Sequence, residues 1–226
     1  MDNLKIIFIS LLYFIISSQE SNGQTGKIAK VKFVSKIYST CTIAGSKLVL
    51  LPHKKPKGYV PYACTYEQDK IFSGYSDKDK REILAELLSY EGDTSICSKR
   101  VCRYGYTNDK RPGTESYTIQ IDALYLLTTL VVGGYATNYC PYPVLVEIST
   151  GKEINDFSEQ VGEIYAIYRK WYEENSKNGF KNFNVPLRNT RYAWYGMRDS
   201  KKYLLKDSFK IHKLGSAFAV VGVCLD

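Results

Sequence analysis

The stretch from Ile121 to Val132, IDALYLLTTLVV, constrains the fold more than any other part of the chain. As a helix it is apolar on nearly every face, so it has no side to offer to water and must be wrapped by other elements. It is too short to cross a bilayer, which takes about 20 apolar residues, and it carries Asp122, Thr128 and Thr129. We therefore expect a helix over about 115–132, stopped at Gly133-Gly134 and placed at the centre of the core.

Two more helices are expected around it. In 76–92, Ser76 is a good N-cap, acids fill the first turn, and Ile83, Leu84, Leu87 and Leu88 share one face ahead of Gly92. In 156–179, Asp156 and Glu159 have the spacing of a capping box. There Phe157, Val161, Ile164, Tyr168 and Trp171 recur in steps of 4, 3, 4 and 3, which predicts packing of one stripe on the central helix. Short strands are expected over 28–34, 46–52, 143–148 and 215–225, and an ordered loop over 53–64. Residues 186–212 are ambiguous, and KKYLLKDSFKIHK reads equally as helix or strand. Helices in the middle and strands towards both ends give an α+β class: three main helices in a single globular domain, disulfide-stapled, with no alternating βαβ pattern.

The first 23 residues carry a different message. A charged start, the apolar run Ile6–Ile16 and small residues at Ser21 and Gly23 have the form of a cleaved secretory signal peptide. The Gly23-Gln24 junction resembles the export signals of some Gram-negative bacteria. The expectation is a secreted or periplasmic mature chain over 24–226, with no membrane span of its own.

Export decides how the six cysteines are read. Cys41, Cys64, Cys97, Cys102, Cys140 and Cys224 all lie beyond the leader, and an even number in an exported chain suggests disulfides. Metal binding lacks ligands, since the only histidines are His53 and His212 and neither is spaced with a cysteine pair. Redox chemistry prefers C-x-x-C, whereas Cys97 and Cys102 are separated by four residues. Proximity favours bridges 97–102 and 41–64, which leaves 140 with 224, either of which could be a free buried thiol. No cofactor is expected.

The chain carries a formal charge of +8, with 31 Lys and Arg against 23 Asp and Glu. Such a balance favours acidic partners. An acidic protein or an anionic cell-surface polymer fits an exported chain, whereas nucleic acid does not, and no nucleic-acid-binding motif is present. Around the 97–102 pair, Lys99, Arg100 and Arg103 could grip a phosphate or carboxylate, or could simply face water. Tyrosine is abundant, at 20 residues, and clusters at 58–62, 103–106, 138–143 and 191–196. Tyr104, Tyr106, Tyr192, Trp194 and Tyr195 are therefore candidate contact residues, unless they are ordinary half-buried aromatics.

Signals for catalysis are sparse. There is no nucleophile elbow, phosphate loop or zinc-protease motif, and neither His53 nor His212 has a catalytic context. Asp122 is the one acid set in an apolar helix; it is either a perturbed functional acid or a hydrogen-bonded structural one. Glu82 with Glu86 and Glu159 with Glu163 each share a helix face. Three readings follow. The leading one is a non-enzymatic binding protein, of inhibitor or immunity type, that uses basic and Tyr-rich loops. Its rival is an exported hydrolase working through carboxylates. The third is a structural or envelope-assembly accessory.

Overall fold

The computed structural model describes residues 27–33, 45–52, 68–99, 101, 112–132, 142–180 and 185–195. It is a mixed structure of four helices and two small antiparallel sheets among the described residues. The α+β class is as expected. In chain order the elements are β1 (Ile28–Phe33), β2 (Gly45–Leu50), α1 (Gln68–Ser73), α2 (Asp77–Leu88), α3 (Ile119–Val132), β3 (Leu145–Glu147), α4 (Ser158–Ser176) and β4 (Tyr192–Trp194).

The central helix behaves as its composition demands. Every residue of α3 from Ile119 to Leu130 is buried. It begins later than the expected 115, because residues 115–118 are extended and lie beside 95–99 and 101. Val101 N donates to Glu115 O, Cys97 N to Tyr117 O, and Ile119 N to Ser95 O at 2.8–3.0 Å. Tyr and Thr suit an extended strand, and here the long-range partner overrides the helical continuation.

β1 and β2 pair antiparallel, with Ile28 opposite Leu50 and Phe33 opposite Gly45. The other edge of β2 begins a parallel contact with 96–98, in which Ser98 N donates to Ser46 O at 2.7 Å. A side chain at Gly45 could not fit there, since a Cβ would lie 2.9 Å from the carbonyl oxygen of Ile96. Beyond Ser46 the edge is closed by side chains instead of a strand. Leu48 N donates to Asp122 of α3 at 2.9 Å, and Leu50 N to Gln68 of α1 at 2.6 Å. An edge strand is thus covered and its N–H groups satisfied.

The second sheet pairs Leu145 with Trp194 and Glu147 with Tyr192. β4 falls within 186–212, which the sequence leaves ambiguous. α2 starts as expected, with Ser76 Oγ accepting from Asp79 N, and buries Ile83, Leu84, Leu87 and Leu88. In α4, Val161, Ile164, Tyr168 and Trp171 are buried, together with Tyr165. The capping box is not formed. Phe157 itself occupies the N-cap position without a side-chain cap, is 38% exposed, and lies under the Lys152 ammonium. The stripe also divides its contacts. Tyr165 and Tyr168 reach α3 through their hydroxyls, at Gln120 O (2.8 Å) and Thr128 Oγ1 (2.7 Å), while Trp171 stacks on Phe180.

One buried cluster runs from Ile28 through all four helices to Trp194. Among the described residues no helix is long and apolar enough to cross a membrane.

Candidate functional site

Buried charge is where a fold of this size departs from simple packing. Asp122 is 1% exposed and Lys47, in the middle of β2, is 4% exposed. The Lys47 ammonium lies 3.7 Å from Asp122 Oδ1, and Asp122 Oδ2 accepts from the Leu48 backbone. The first turn of α3 therefore places one carboxylate against β2, where it serves the backbone and a cation together.

The paired segments 95–99 and 115–118 bring three more groups to this point. Cys97 is fully buried, and its thiol is free. Cys102, its expected bridge partner, lies outside the described residues. Burial, reinforced by the Asp122 carboxylate, pushes the Cys97 thiol up to about 11, so it stays a thiol at neutral pH. Buried Tyr117 is likewise held well above the usual phenol range by burial and by Asp122. Lys99 is half-buried. The neighbouring Lys47 ammonium, and then burial, pull it down to about 8 against the pull of Asp122. The cluster holds two amines, one carboxylate and two groups that stay neutral at pH 7.

Asp122 therefore occupies the structural role that sequence left open, although its burial is as deep as a functional acid would require. Lys47 was not anticipated. The signal was a lysine inside the apolar run GSKLVLL, which an acid in an equally apolar helix is suited to meet.

The remaining candidates separate. Tyr192 and Trp194 are each 1% exposed and belong to the core. The Tyr192 hydroxyl donates to Glu163 at 2.6 Å, and the Trp194 indole donates to Tyr168 and Thr128 at 3.0 and 3.2 Å. Three consecutive buried residues in β4 explain the difference: both faces of this short strand are covered, so a Tyr-rich run is not an exposed one. Tyr195 is half-buried and packs edge-on against Tyr142. Arg100, Arg103, Tyr104, Tyr106 and Cys41, Cys64, Cys102, Cys140 and Cys224 lie outside the described residues, as do His53 and His212.

The helix carboxylates are engaged in joining elements. Glu82 pairs with Lys27 at 2.5 Å, and Glu86 accepts from the backbone N–H groups of Lys27 and Ile28, fastening the start of β1 to α2. Burial holds Glu86 above the usual carboxylate range despite those bonds. Glu163 ties α4 to Arg191 and Tyr192, and their hydrogen bonds lower its pKa. Glu159 is exposed.

Comparison with known protein families, with characterised proteins and with solved structures returns no match.

Proposed function

We propose that this is an exported binding protein without catalytic chemistry of its own, and that its partner is an acidic protein. The observation that carries the reading is the charge of the chain, 31 Lys and Arg against 23 Asp and Glu, a formal +8. Such an excess suits electrostatic capture of an anionic surface. The engagement of Glu82, Glu86 and Glu163 in joining elements favours this reading over a carboxylate hydrolase.

The test is binding of the purified protein to polyglutamate at about 150 mM salt. We expect micromolar to millimolar affinity that weakens with added salt, and weakens again when Arg100 and Arg103 are both replaced by Gln. Hydrolysis of a glycosidic or ester substrate that is lost with Glu86→Gln would sink the proposal.

Export belongs to the same reading, with the mature chain starting at Gln24. With Cys97 a thiol, the other five cysteines can form at most two bridges. Thiol titration of the denatured, unreduced protein should then count two free thiols; a count of zero would place Cys97 in a disulfide.

A further inference from the structure

Four asparagines lie among the described residues, and the fold treats them differently. Asn155 is 5% exposed and held at both ends of its amide, with Oδ1 accepting from Leu145 N at 2.8 Å and Nδ2 donating to Pro143 O at 2.9 Å. Asn175 is half-buried, and its Nδ2 donates to Trp171 O at 2.7 Å. Asn189 is exposed but precedes Thr190, whose branched side chain crowds the backbone nitrogen that follows the asparagine. Asn178 is exposed, its side-chain amide makes no hydrogen bond among the described residues, and it precedes Gly179. The other Asn-Gly pair of the sequence, Asn22-Gly23, lies outside the described residues.

The glycine is required by the fold. Gly179 has φ +67°, in the left-handed region where a Cβ is strained, and a Cβ there would lie 3.0 Å from Asp77 Oδ2 at the start of α2. With no side chain on residue 179, nothing shields its backbone nitrogen from the amide before it. That nitrogen is also loosely held. Gly179 N donates to Ser176 O at 3.4 Å, the outer limit of a hydrogen bond, just past the last turn of α4 where helix ends fray.

Phe180 joins this surface turn to the core. It too has a positive φ, 58°, which a bulky residue keeps only when its surroundings hold it there. Phe180 N donates to Asn175 O at 3.0 Å, and its buried ring stacks on Trp171 with centroids 5.7 Å apart. The backbone from 178 to 180 therefore seats a core aromatic.

We propose that Asn178 is a site of spontaneous covalent modification, losing its amide nitrogen through a cyclic imide with Gly179, and that the isoaspartyl product unseats Phe180 from Trp171. Asparagine is a chemically labile side chain. Once the Gly179 nitrogen gives its proton to solvent base, it attacks Cγ of Asn178. The new N–Cγ bond forms, the bond from Cγ to the side-chain nitrogen breaks, and that nitrogen takes up a proton and leaves as ammonia. Water then opens the five-membered imide. Attack at Cγ gives aspartate. Attack at the main-chain carbonyl gives isoaspartate, whose main chain runs through Cγ and is one methylene longer. No electrons are exchanged, and water is the only co-reactant. Both products place a carboxylate at the C-terminal end of α4, where negative charge is unfavourable. Only isoaspartate also displaces the chain leading to Phe180. The site is independent of what the protein binds.

The experiment incubates the purified protein, and in parallel the guanidinium-denatured chain, at about pH 8 and 37 °C. Each asparagine is followed by peptide mapping with mass spectrometry after digestion by a glutamyl endopeptidase. In the native protein Asn178 should convert first of the four, with isoaspartate in excess over aspartate. Its rate should be no less than about a tenth of that in the denatured chain, since opening a helix end costs little. Asn178→Gln should remove the conversion. Asn178 still intact in the native protein when the denatured chain has converted, or Asn175 or Asn189 converting ahead of it, would overturn the site. In the isolated isoaspartyl form the Trp171 indole NMR resonance should move while that of Trp194 stays. Asn178→Asp, which adds the charge without lengthening the chain, should leave both in place. An unmoved Trp171 resonance in the isoaspartyl form would overturn the link to the core.

Discussion

α3 carries buried polar groups at two levels, and they are built differently. Asp122 and Thr128 are six residues apart, about 9 Å along the helix, and both are almost fully buried. At the Thr128 level everything is neutral and closed. Thr128 Oγ1 donates to Leu124 O at 2.9 Å and lies 2.7 Å from the Tyr168 hydroxyl, and the Trp194 indole N–H bonds both. At the Asp122 level the groups are charged and uneven, with two lysines sharing one carboxylate. Depth of burial does not distinguish a structural polar group from a functional one. The balance of donors, acceptors and charge differs instead: the Thr128 network closes on neutral groups, and the Asp122 level holds an ion pair.

The largest effect should separate the two levels at once. Asp122→Ala leaves Lys47 buried without its partner and Leu48 N–H without an acceptor, and should cost about 5 kcal/mol in denaturant melts. Combining it with Lys47→Met should recover most of that loss, because the stranded charge is then gone. If the double variant is as unstable as the single one, the pair does not act as a unit and the charged level is no different from the neutral one.

Next comes Trp194→Ala, expected to cost about 4 kcal/mol as a large buried aromatic. It also tests a feature that sequence hid. Binding to polyglutamate, measured on the fraction that remains folded, should be unchanged, since Trp194 is a core residue. A change in stability under about 0.5 kcal/mol, as for surface positions, would return Trp194 to the contact candidates.

What the sequence made visible follows from how local each signal is. The cap at Ser76, the stripe Ile83–Leu84–Leu87–Leu88, the strands expected over 28–34 and 46–52 and the wrapped α3 depend on patterns within one element, and all are present. Asp122 was visible as an anomaly, an acid among apolar neighbours. The misses are long-range. Residues 115–118 are extended because 95–99 and 101 lie beside them. Tyr192 and Trp194 are buried because β3 and α4 cover a three-residue strand too short to show alternation. α1 spans six residues, under two turns, which is too few for a periodicity to register. Lys47 could be recognised only by joining two apolar segments 75 residues apart in sequence, each with one charge out of place.

Removing one member of the neutral network should be mild. Thr128→Val keeps the shape of the side chain and leaves the Trp194 indole still bonded to the Tyr168 hydroxyl at 3.0 Å. The expected loss is about 1 kcal/mol, that of one net hydrogen bond. A loss as large as that from Asp122→Ala would mean the network is as sensitive as the ion pair.

The smallest effect is a pH window that only the charged level can produce. Lys99 sits near 8 in the folded chain, below its unfolded value near 10.5. Between those values the unfolded chain holds more of that proton than the folded chain does, so stability must rise with pH there. Cys97 works the other way. Its folded value is about 11 against an ordinary 9.0, so the folded chain keeps the thiol proton longer and stability falls from pH 9 upward. Tyr117 and Tyr165, both raised by burial, add to the fall above about pH 10. The window from pH 8 to pH 9 therefore isolates Lys99. Urea melts should show stability rising there by under about 1 kcal/mol, levelling, and then declining. Lys99→Met should erase the rise and leave the decline, and Cys97→Ala should soften the decline and leave the rise. A steady fall across pH 8–9 in the unmodified protein would show that Lys99 is not held down by Lys47. The charge at the Asp122 level would then be balanced, and the two levels of α3 would differ in polarity alone.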